Sequence, residues 1–322
     1  MQIKEGTAAV VTGAAGGMGR SVALALADRG VRVVVADVDQ NEADLVAQEI
    51  RDLGGDAIGQ AVDVTDLAQV KNLAAVARER YGDTQIHVNN AGVTLRPFRA
   101  SWDTSYDDYR WVMEVNFWGV LHGYRAFVPA MLDAPGQKHI VNTSSMATTA
   151  NSAGHSAYNV SKAAVDALSL TTRKEFEGRG IGVSILHPGA VRTRIVTSER
   201  LRAAAEQSAN RGVKPWSDYV IRAVDPIADA KPAAGPVDTD DPDVPSEWSQ
   251  YITPAATGWL VVRGIELDLP HILTHPWPEA AIDARVSDLK HGLPDYSGWQ
   301  TRNVRNQQPL KISQQLRGAH HP

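Results

Sequence analysis

A glycine-rich turn that joins an apolar strand to a helical stretch constrains this chain more than any other feature. Residues 8–12 are predicted to form a short buried strand, and residues 21–27 are rich in Ala and Leu, as in a helix. Glycines between them let the chain turn tightly and let its backbone approach a pyrophosphate, which would rest on the helix N-terminus. A strand before the turn and a helix after it are the context that a dinucleotide site requires. The predicted nucleotide-binding residues of this turn are Gly13, Gly17, Met18 and Gly19.

A second apolar strand, residues 31–36, ends at Asp37. A carboxylate at this point accepts hydrogen bonds from the hydroxyls of the adenosine ribose and repels a 2′-phosphate. Neither Gly16 nor Val38, the neighbours best placed to hold a compensating base, is Arg or Lys. The pattern therefore predicts NAD rather than NADP as the cofactor, with an ordinary strand-end cap as the alternative for Asp37.

Tyr158 and Lys162 are four residues apart, and Ser145 lies thirteen residues before Tyr158. Positions i and i+4 share one face of a helix, so the ammonium would favour the phenolate and lower the pKa of Tyr158. The Ser145 hydroxyl, from a separate strand end, would hydrogen-bond the same substrate oxygen. Tyr and Lys are common on helix surfaces, so the pair alone is weak evidence for a catalytic site. The nucleotide-binding turn that precedes it makes the catalytic interpretation the stronger one. Together they predict proton transfer at a carbinol oxygen while a hydride moves elsewhere.

With these features combined, the chain resembles the short-chain dehydrogenase/reductases, in their main NAD(P)-dependent branch, from residue 6 to about residue 195. The motifs that carry the resemblance occur in the family's order: residues 12–19 (TGAAGGMG), Asp63, residues 89–92 (NNAG), Asn116, Ser145, Tyr158, Lys162 and residues 188–193 (PGAVRT). The resemblance implies an α/β fold, a doubly wound parallel-sheet Rossmann domain, with oxidoreductase activity.

The resemblance also implies roles on the adenosine side of the cofactor. Asp63 and Val64 would face the adenine, and Asn90, Ala91 and Gly92 would let the adenosine half lie across the sheet.

On the nicotinamide side, the resemblance implies that Pro188, Gly189 and Val191 fix the carboxamide and that Thr193 reaches a phosphate. Tyr158 and Lys162 count as cofactor-binding residues as well as catalytic ones. Asn116 would order a water that links Lys162 to solvent. Purely structural roles are the alternatives for Asn116 and, as a helix N-cap, for Thr193.

Composition indicates an intracellular enzyme. The 322 residues include no Cys, so neither disulfides nor thiol catalysis are expected, and the ten histidines show no metal-ligand spacing. The net charge of −5 comes with no basic block, so no nucleic-acid partner is expected. No stretch approaches the ~20 apolar residues of a membrane span, and the first residues lead into a strand without a signal peptide. A cytoplasmic location without membrane contact is predicted.

The domain prediction is a single Rossmann-type unit over residues 1–322. It comprises a cofactor-binding and catalytic core (1–195), a Pro- and Asp-rich substrate-lid insertion (196–250), a last helix and strand (251–280) and a C-terminal arm (281–322). Other helices are predicted at 40–53, 67–81, 107–132 and 157–177. The family pairs subunits through helices equivalent to the last two, so a homodimer or homotetramer is expected, with a deeply buried helix as the alternative.

Substrate residues are predicted from position. Arg96 and Arg99 follow the fourth strand, and one of them would bind an anionic group of the substrate, unless both are ordinary surface charges. A bulky, partly aromatic pocket would be lined by Trp102, Trp118, Met146 and His155. An apolar lid would be supplied by Trp216, Tyr219 and Trp248. A narrower resemblance, to dehydrogenases of aryl alcohols such as the lignin-type Cα-dehydrogenases, implies a bulky or aromatic secondary alcohol.

Other functions on this fold are possible alternatives. A non-catalytic nucleotide-binding scaffold would lack Ser145, Tyr158 or Lys162, and a lyase or dehalogenase would replace Lys162 with Arg. An isomerase or epimerase that retains NAD would keep all three residues, so this alternative stays open.

Overall fold

The computed structural model describes residues 1–149, 151–219, 252–275 and 279–292. Its strands are β1 (Ala8–Thr12), β2 (Arg32–Asp37), β3 (Ala57–Ala61), β4 (Ile86–Asn89), β5 (Lys138–Thr143), β6 (Ile181–His187) and β7 (His271–Leu273). They form one parallel sheet in the order β3-β2-β1-β4-β5-β6-β7. The strand order reverses direction at β1 and β4, which confirms the predicted doubly wound Rossmann fold.

The α-helices of the described residues are α1 (Gly17–Ala27), α2 (Gln40–Asp52), α3 (Leu67–Tyr81), α4 (Tyr106–Met113), α5 (Gly119–Asp133), α6 (Ser156–Glu175), α7 (Ser208–Arg211), α8 (Pro254–Glu266) and α9 (Glu279–His291). The predicted helices at 40–53, 67–81 and 157–177 are confirmed. The first helix begins at Gly17 rather than at Ser21, because the last residues of the glycine-rich turn already form its first turn.

The prediction of a single α-helix over 107–132 is wrong in the middle of this range, where the α-helix is interrupted. Residues Glu114–Trp118 form a π-helical turn between α4 and α5. α4 begins after Ser105, whose Oγ accepts a hydrogen bond from the backbone N–H of Asp108 at 3.1 Å. A π turn holds one residue more than an α turn, so it re-aims the side chains that follow, and such turns are frequent at functional sites.

The sheet has an apolar layer on each face because successive strand residues point to opposite sides. Val11 and Val33 lie in a core with Leu26 of α1 and Val261 of α8. Their neighbours Val10 and Val34 lie in a second core, with side chains from α3, α5 and α6 such as Leu73, Phe127 and Val165. Burial of both faces fixes the sheet and therefore the positions of the loops at its carboxyl edge.

Short helical turns make up the described part of the predicted lid insertion. They are the 3-10 segments Arg194–Leu201, Ala204–Glu206 and Trp216–Tyr219, together with α7. The rest of the insertion, with Trp248 and the acidic residues, lies outside the described residues.

The last helix and strand of the core agree with the sequence. Thr253 caps α8 with its Oγ1, which accepts a hydrogen bond from the backbone N–H of Ala256 at 2.9 Å, and Pro254 occupies the first turn. The chain divides into two compact units, residues 1–277 and 278–322, and α9 belongs to the second. Among the described residues, no helix combines the length and the apolar character that a bilayer crossing needs.

Candidate active site

The predicted site residues converge at the carboxyl edge of the sheet. The glycine-rich turn follows β1, Asn90 follows β4, Ser145 follows β5 and Pro188 follows β6. Parallel strands end at one edge, so these four segments surround one crevice at the reversal point of the strand order.

The glycine-rich turn is packed tightly against the end of β4. The side-chain Nδ2 of Asn90 donates hydrogen bonds to the carbonyl oxygens of Thr12 and Gly13, both at 3.0 Å. Gly13 has φ +63°, and an added Cβ would lie 2.7 Å from the Cα of Ala91. An added Cβ at Gly19 would lie 2.2 Å from the carbonyl oxygen of Gly13. Only glycine fits these two positions, and the backbone of the turn stays bare for a ligand.

Asp37 lies beside the turn, as predicted. Its Oδ2 accepts a hydrogen bond from the backbone N–H of Ala15 at 2.9 Å, and its Oδ1 accepts a longer one from Asp39 at 3.4 Å. The carboxylate is therefore held at the outer rim of the crevice, where an adenosine ribose would lie.

Asp63 and Val64 sit in the turn that follows β3. The Oδ1 of Asp63 accepts hydrogen bonds from the backbone N–H and the hydroxyl of Thr65, at 2.9 and 2.8 Å. The carbonyl oxygen of Val64 is 2.9 Å from Nδ1 of His122, and its side chain packs on Gly119 at the start of α5. These contacts fix the turn at the far side of the crevice.

Tyr158 and Lys162 lie on α6, and both are buried. Burial raises the pKa of Tyr158, against the lowering effects of a hydrogen bond with Ser145 and of the charge on Arg96. The Nζ of Lys162 donates a hydrogen bond to the carbonyl oxygen of Thr143 at 2.8 Å and lies 5.7 Å from the centre of the Tyr158 ring. The expected lowering of the pKa of Tyr158 by Lys162 is therefore wrong for this arrangement.

Burial also lowers the pKa of Lys162 to about 8, against the raising effect of the Asp166 carboxylate. Ser145 is placed by its own turn, because its Oγ accepts a hydrogen bond from the backbone N–H of Ala147 at 3.1 Å. The hydroxyl hydrogen of Ser145 thus remains available for a neighbouring oxygen.

Asn116 occupies the π turn and is fully buried. Its Oδ1 accepts a hydrogen bond from the backbone N–H of Val93 at 2.8 Å, and its Nδ2 donates to the Val93 carbonyl and to Ser161 Oγ, both at 3.0 Å. An added Cβ at Gly92 would lie 3.3 Å from Lys162 Nζ and 3.4 Å from Asn116 Oδ1. Asn116 therefore ties the loop after β4 to α6, next to Lys162.

The segment after β6 closes the crevice. The carbonyl oxygen of Pro188 accepts a hydrogen bond from the backbone N–H of Met146 at 2.9 Å. The backbone N–H of Gly189 donates a hydrogen bond to Thr274 Oγ1 at 3.0 Å. Val191 forms an isolated parallel bridge with Ile252. The Oγ1 of Thr193 accepts a hydrogen bond from the backbone N–H of Ile195 at 3.4 Å and so caps the next helical turn.

The side chain of Thr193 also contacts the glycine-rich turn. An added Cβ at Gly17 would lie 3.0 Å from Thr193 Cγ2. Thr193 therefore has its alternative role as an N-cap, and its side chain also lies against the glycine-rich turn.

Aromatic side chains stand beside Tyr158. The rings of His155 and Tyr158 are stacked, and the ring of Phe98 lies 4.6 Å from that of His155. The guanidinium of Arg96 lies over Phe98, 3.7 Å from the ring centre. Burial, together with the charge on Arg96, lowers the pKa of His155 to about 3. The imidazole is therefore neutral at physiological pH.

Trp216 reaches the same cluster from the segment after β6. Its backbone N–H donates a hydrogen bond to the carbonyl oxygen of Phe98 at 2.5 Å, and its ring lies 5.9 Å from that of Trp102. Met146 directly follows Ser145, and its side chain lies against Gly189, where an added Cβ would approach its Sδ to 2.7 Å. Of the predicted substrate residues, His155 therefore contacts Tyr158, Arg96 and Trp216 contact Phe98 beside it, and Met146 adjoins Ser145.

Residues 7–204 match the protein family described as short chain dehydrogenase. The chain belongs to this family.

Two characterised relatives of this short-chain dehydrogenase illustrate the similarity. It is 38% identical over 185 residues to the 1-deoxy-11-beta-hydroxypentalenate dehydrogenase of Streptomyces avermitilis, a match that covers 58% of this chain and 68% of that protein. It is 33% identical over 193 residues to the 2,5-dichloro-2,5-cyclohexadiene-1,4-diol dehydrogenase LinX of Sphingobium indicum, with 60% and 76% covered.

A solved structure extends the likeness beyond the matched core. A short chain dehydrogenase/reductase from Burkholderia phymatum, in complex with NAD, aligns with a TM-score of 0.73 at 31% identity. The alignment covers 90% of this chain and 96% of that one.

The short-chain dehydrogenase also has a buried ionic cluster that the sequence did not predict as such. Arg99 is 1% exposed and bonds to Asp108 of α4, to Glu199 and to Ser208. Arg202 and Arg211 donate to the other oxygen of Asp108, at 2.7 and 2.6 Å. Both readings of Arg99, as an anion ligand and as a surface charge, are therefore wrong.

The ionic cluster fastens the segment after β6 to α4. The sequence does place three charged residues of the cluster, Glu199, Arg202 and Arg211, within one short stretch. Their partners, Arg99 and Asp108, lie about a hundred residues earlier in the chain. Nothing local to either segment identifies the pairing.

The residues of the crevice fit a nicotinamide dinucleotide. The bare backbone of Gly13 and Gly19 leaves no side chain over the turn, and Asp37 stands at the ribose end. Gly92 keeps the space beside Lys162 free of a side chain. Among the described residues, no group of three His, Cys, Asp or Glu side chains is arranged to hold a metal ion.

Proposed function

We propose that the protein is an NAD-dependent dehydrogenase that interconverts a secondary alcohol and a ketone. The observation that carries the proposal is the placement of Ser145 after β5 and of Tyr158 and Lys162 on α6, at the edge of a crevice whose glycine-rich turn fits a dinucleotide. The same residues serve oxidation and reduction, so the proposal covers both directions.

The side chains divide the proton chemistry between them. When bound, the nicotinamide would supply the hydride acceptor or donor. Tyr158 takes the proton of the alcohol in oxidation and returns it in reduction, while Ser145 donates a hydrogen bond to the substrate oxygen. Positioned proton transfer of this kind accelerates reactions about 10²–10⁴-fold. Burial raises the pKa of Tyr158, whereas the hydrogen bond with Ser145 and the positive charge of Arg96 lower it and so favour the phenolate.

Asn116 and Gly92 set the position of Lys162. The side chain of Asn116 braces the loop that carries Gly92, and an added Cβ at Gly92 would approach Lys162 Nζ. In this proposal Lys162 binds the nicotinamide ribose and passes protons toward solvent through a water at Asn116.

The proposed substrate is an aromatic or otherwise bulky secondary alcohol. His155 stacks on Tyr158, and Phe98 lies next to His155, with Arg96 adding a positive charge over Phe98. Trp216, bonded to the backbone of Phe98, and Trp102 extend this flat apolar surface. The name of each relative denotes a ring alcohol as its substrate, and the hydroxypentalenate in the first name is also a carboxylate. The likeness to aryl-alcohol dehydrogenases of the lignin type belongs to this proposal.

We further propose a homo-oligomer in the cytoplasm. Apolar side chains are exposed along the helices through which the family pairs its subunits: Leu132 on α5 at 42%, and Val160 and Leu170 on α6 at 51% and 44%. Exposed apolar patches of this kind mark contact surfaces.

A substrate panel tests the proposal. Purified protein is incubated with aryl and aliphatic secondary alcohols and NAD⁺ at alkaline pH, and NADH is followed by absorbance. We expect NADH to form with aryl alcohols. Turnover confined to short aliphatic alcohols would contradict the substrate class, and conversion of substrate with retained cofactor and no net NADH would indicate an isomerase.

A further inference from the structure

Three segments of the chain meet beside Tyr158. The ring centre of Phe98, from the loop after β4, lies 4.6 Å from that of His155, which stacks on Tyr158. Trp216, from the segment after β6, donates its backbone N–H to the carbonyl oxygen of Phe98 at 2.5 Å. Gly154 has φ +77°, and an added Cβ there would lie 2.9 Å from the Cβ of Trp216 and 3.1 Å from that of Phe98. Phe98, His155 and Trp216 therefore form one packed surface, which we call the aromatic wall.

Arg99 ties the aromatic wall to the ionic cluster. It follows Phe98 directly, and its backbone N–H donates a hydrogen bond to the carbonyl oxygen of Gly154 at 2.9 Å. Its buried guanidinium bonds to Asp108 of α4 and to Glu199. The backbone of Arg99 thus holds the loop before α6, while its side chain holds α4 and the segment after β6.

Glu199 joins Arg99 to the segment that carries Trp216. Its Oε2 accepts a hydrogen bond from the backbone N–H of Ser208 at 2.8 Å, at the start of α7. The hydroxyl of Ser208 bonds to Glu199 Oε1 and to the guanidinium of Arg99. The segment therefore contacts the loop after β4 both through the Glu199–Arg99 ion pair and through the hydrogen bond from Trp216 to Phe98.

We propose that Glu199, acting through Arg99, is a positioning residue that holds the aromatic wall in place for the ring of a bulky alcohol. A wall that is ordered before the substrate arrives loses no side-chain freedom on binding, so the substrate binds more tightly. The wall contacts the substrate away from its reacting carbon, so its effect is the same before and during the reaction and appears in KM. The inference rests on the proposed function and deepens it.

Glu199→Gln removes the charge of the carboxylate and keeps its size. Arg202 and Arg211 still bond to Asp108, so the segment stays attached to α4 and the fold is retained. With 1-(2-naphthyl)ethanol as substrate and saturating NAD⁺, we expect KM to rise about 2–10-fold, the value of one aromatic contact. The kcat and the calorimetric affinity for NAD⁺ should each change less than about twofold, because Tyr158 and the glycine-rich turn are untouched. A merely structural role would lower kcat, through the fraction of folded enzyme, and leave KM unchanged.

Hydrogen exchange reports on the aromatic wall without any turnover. The backbone amide of Trp216 is protected by its hydrogen bond to Phe98, and local opening of the segment exposes it to solvent. In Glu199→Gln, the fragment that contains this amide should exchange at least about threefold faster, as measured by mass spectrometry. The fragment that covers α2 should exchange as in wild type.

Two further variants serve as controls. Glu206→Gln makes the same substitution at the exposed rim of the ionic cluster, where Oε2 of Glu206 lies 3.7 Å from Nε of Arg202. Its KM and its exchange should match those of wild type. Glu199→Asp keeps the negative charge, so it should lie closer to wild type than Glu199→Gln in both measurements.

An unchanged KM, or an unchanged exchange of the Trp216 amide, in Glu199→Gln would overturn the positioning role. Equal effects of Glu199→Gln and Glu206→Gln would overturn it as well. Wild type that binds NAD⁺ but forms no NADH with any alcohol would instead overturn the proposed function. If thermal unfolding shows that Glu199→Gln has lost the fold, Ser208→Ala takes its place with the same expected results, since Ser208 bonds to both Glu199 and Arg99.

Discussion

The imidazole of His155 lies flat against the phenol of Tyr158, with ring centres 4.5 Å apart and an angle of 6° between the planes. Its Nε2 is 2.8 Å from the hydroxyl oxygen of Thr94, which fixes the orientation of the ring. One face of the phenol is therefore covered by a neutral aromatic ring, and in the proposed reaction the substrate would use the space that remains.

His155→Ala should lower kcat/KM for aryl alcohols by about 2–10-fold, the value of one stacked aromatic pair. His155→Phe keeps the stack and should stay close to wild type. Because the pKa of His155 is lowered to about 3, neither substitution should move the pH profile of kcat/KM in the neutral range. A shifted profile would show that His155 takes part in proton transfer.

The lowered pKa of Lys162 predicts that the free energy of unfolding depends on pH. Its pKa of about 8 in the folded protein lies below the value of about 10.4 in an unfolded chain. The unfolded chain binds more protons between these values, so the free energy of unfolding of wild type gains from rising pH in this window. In Lys162→Met this gain is absent.

Urea unfolding across the window measures the effect. The difference in stability between wild type and Lys162→Met should move in favour of wild type as pH rises from about 8 to about 10.4. Lys174→Met, at an exposed position of the same helix, is the control and should show no comparable trend. A constant difference would contradict the lowered pKa.

Asn116→Leu should destabilise the protein by about 2–4 kcal/mol, because it leaves the buried N–H and carbonyl of Val93 without a side-chain partner. Dehydrogenase turnover should fall with it, since the loop that carries Gly92 then loses its brace beside Lys162. Urea unfolding measures the first effect, with Asn41→Leu on the exposed surface of α2 as the control. A loss no larger than that of the control would refute the role of Asn116 as a brace.

Asp108→Asn tests the ionic cluster. Burial raises the pKa of Asp108, but the hydrogen bond from Arg202 and the charge of Arg99 outweigh it and hold the pKa well below its usual range. At neutral pH the substitution should cost about 3–5 kcal/mol, as for other broken buried ion pairs. The exposed neighbour Asp107, changed to Asn, should cost less than about 1 kcal/mol.

The same comparison at acidic pH tests the direction in which the stability contribution of Asp108 changes with pH. A carboxylate with a lowered pKa stabilises the folded state above its unfolded pKa of about 3.9, and this contribution is lost as pH falls further. The stability difference between wild type and Asp108→Asn should therefore narrow below about pH 4. A difference that persists unchanged in acid would mean that Asp108 contributes by packing alone.

Local signals predicted much of the fold. The strand, glycine-rich turn and first helix follow each other along the chain, so their contacts are encoded within one short stretch. The pair Tyr158 and Lys162 depends only on helical spacing, and the cap of α8 at Thr253 depends on two adjacent residues. Patterns of this kind can be recognised before the tertiary structure is known.

Features that depend on distant contacts could not be predicted. The π turn at Asn116 follows from how α4 and α5 both pack, since its residues are compatible with an ordinary helix. Arg99 pairs with Glu199 and Arg194 reaches Gly16 across long stretches of sequence. The raised pKa of Tyr158 results from burial, which residue spacing alone does not reveal.

We propose that Tyr158 carries the proton transfer of a dehydrogenase. The most direct test follows NADH formation from an aryl secondary alcohol by wild type and Tyr158→Phe, with NAD⁺ affinity measured on both by calorimetry. We predict that kcat falls about 10²–10⁴-fold in the variant while NAD⁺ still binds. NADH formation at a similar rate by both proteins would contradict the claim.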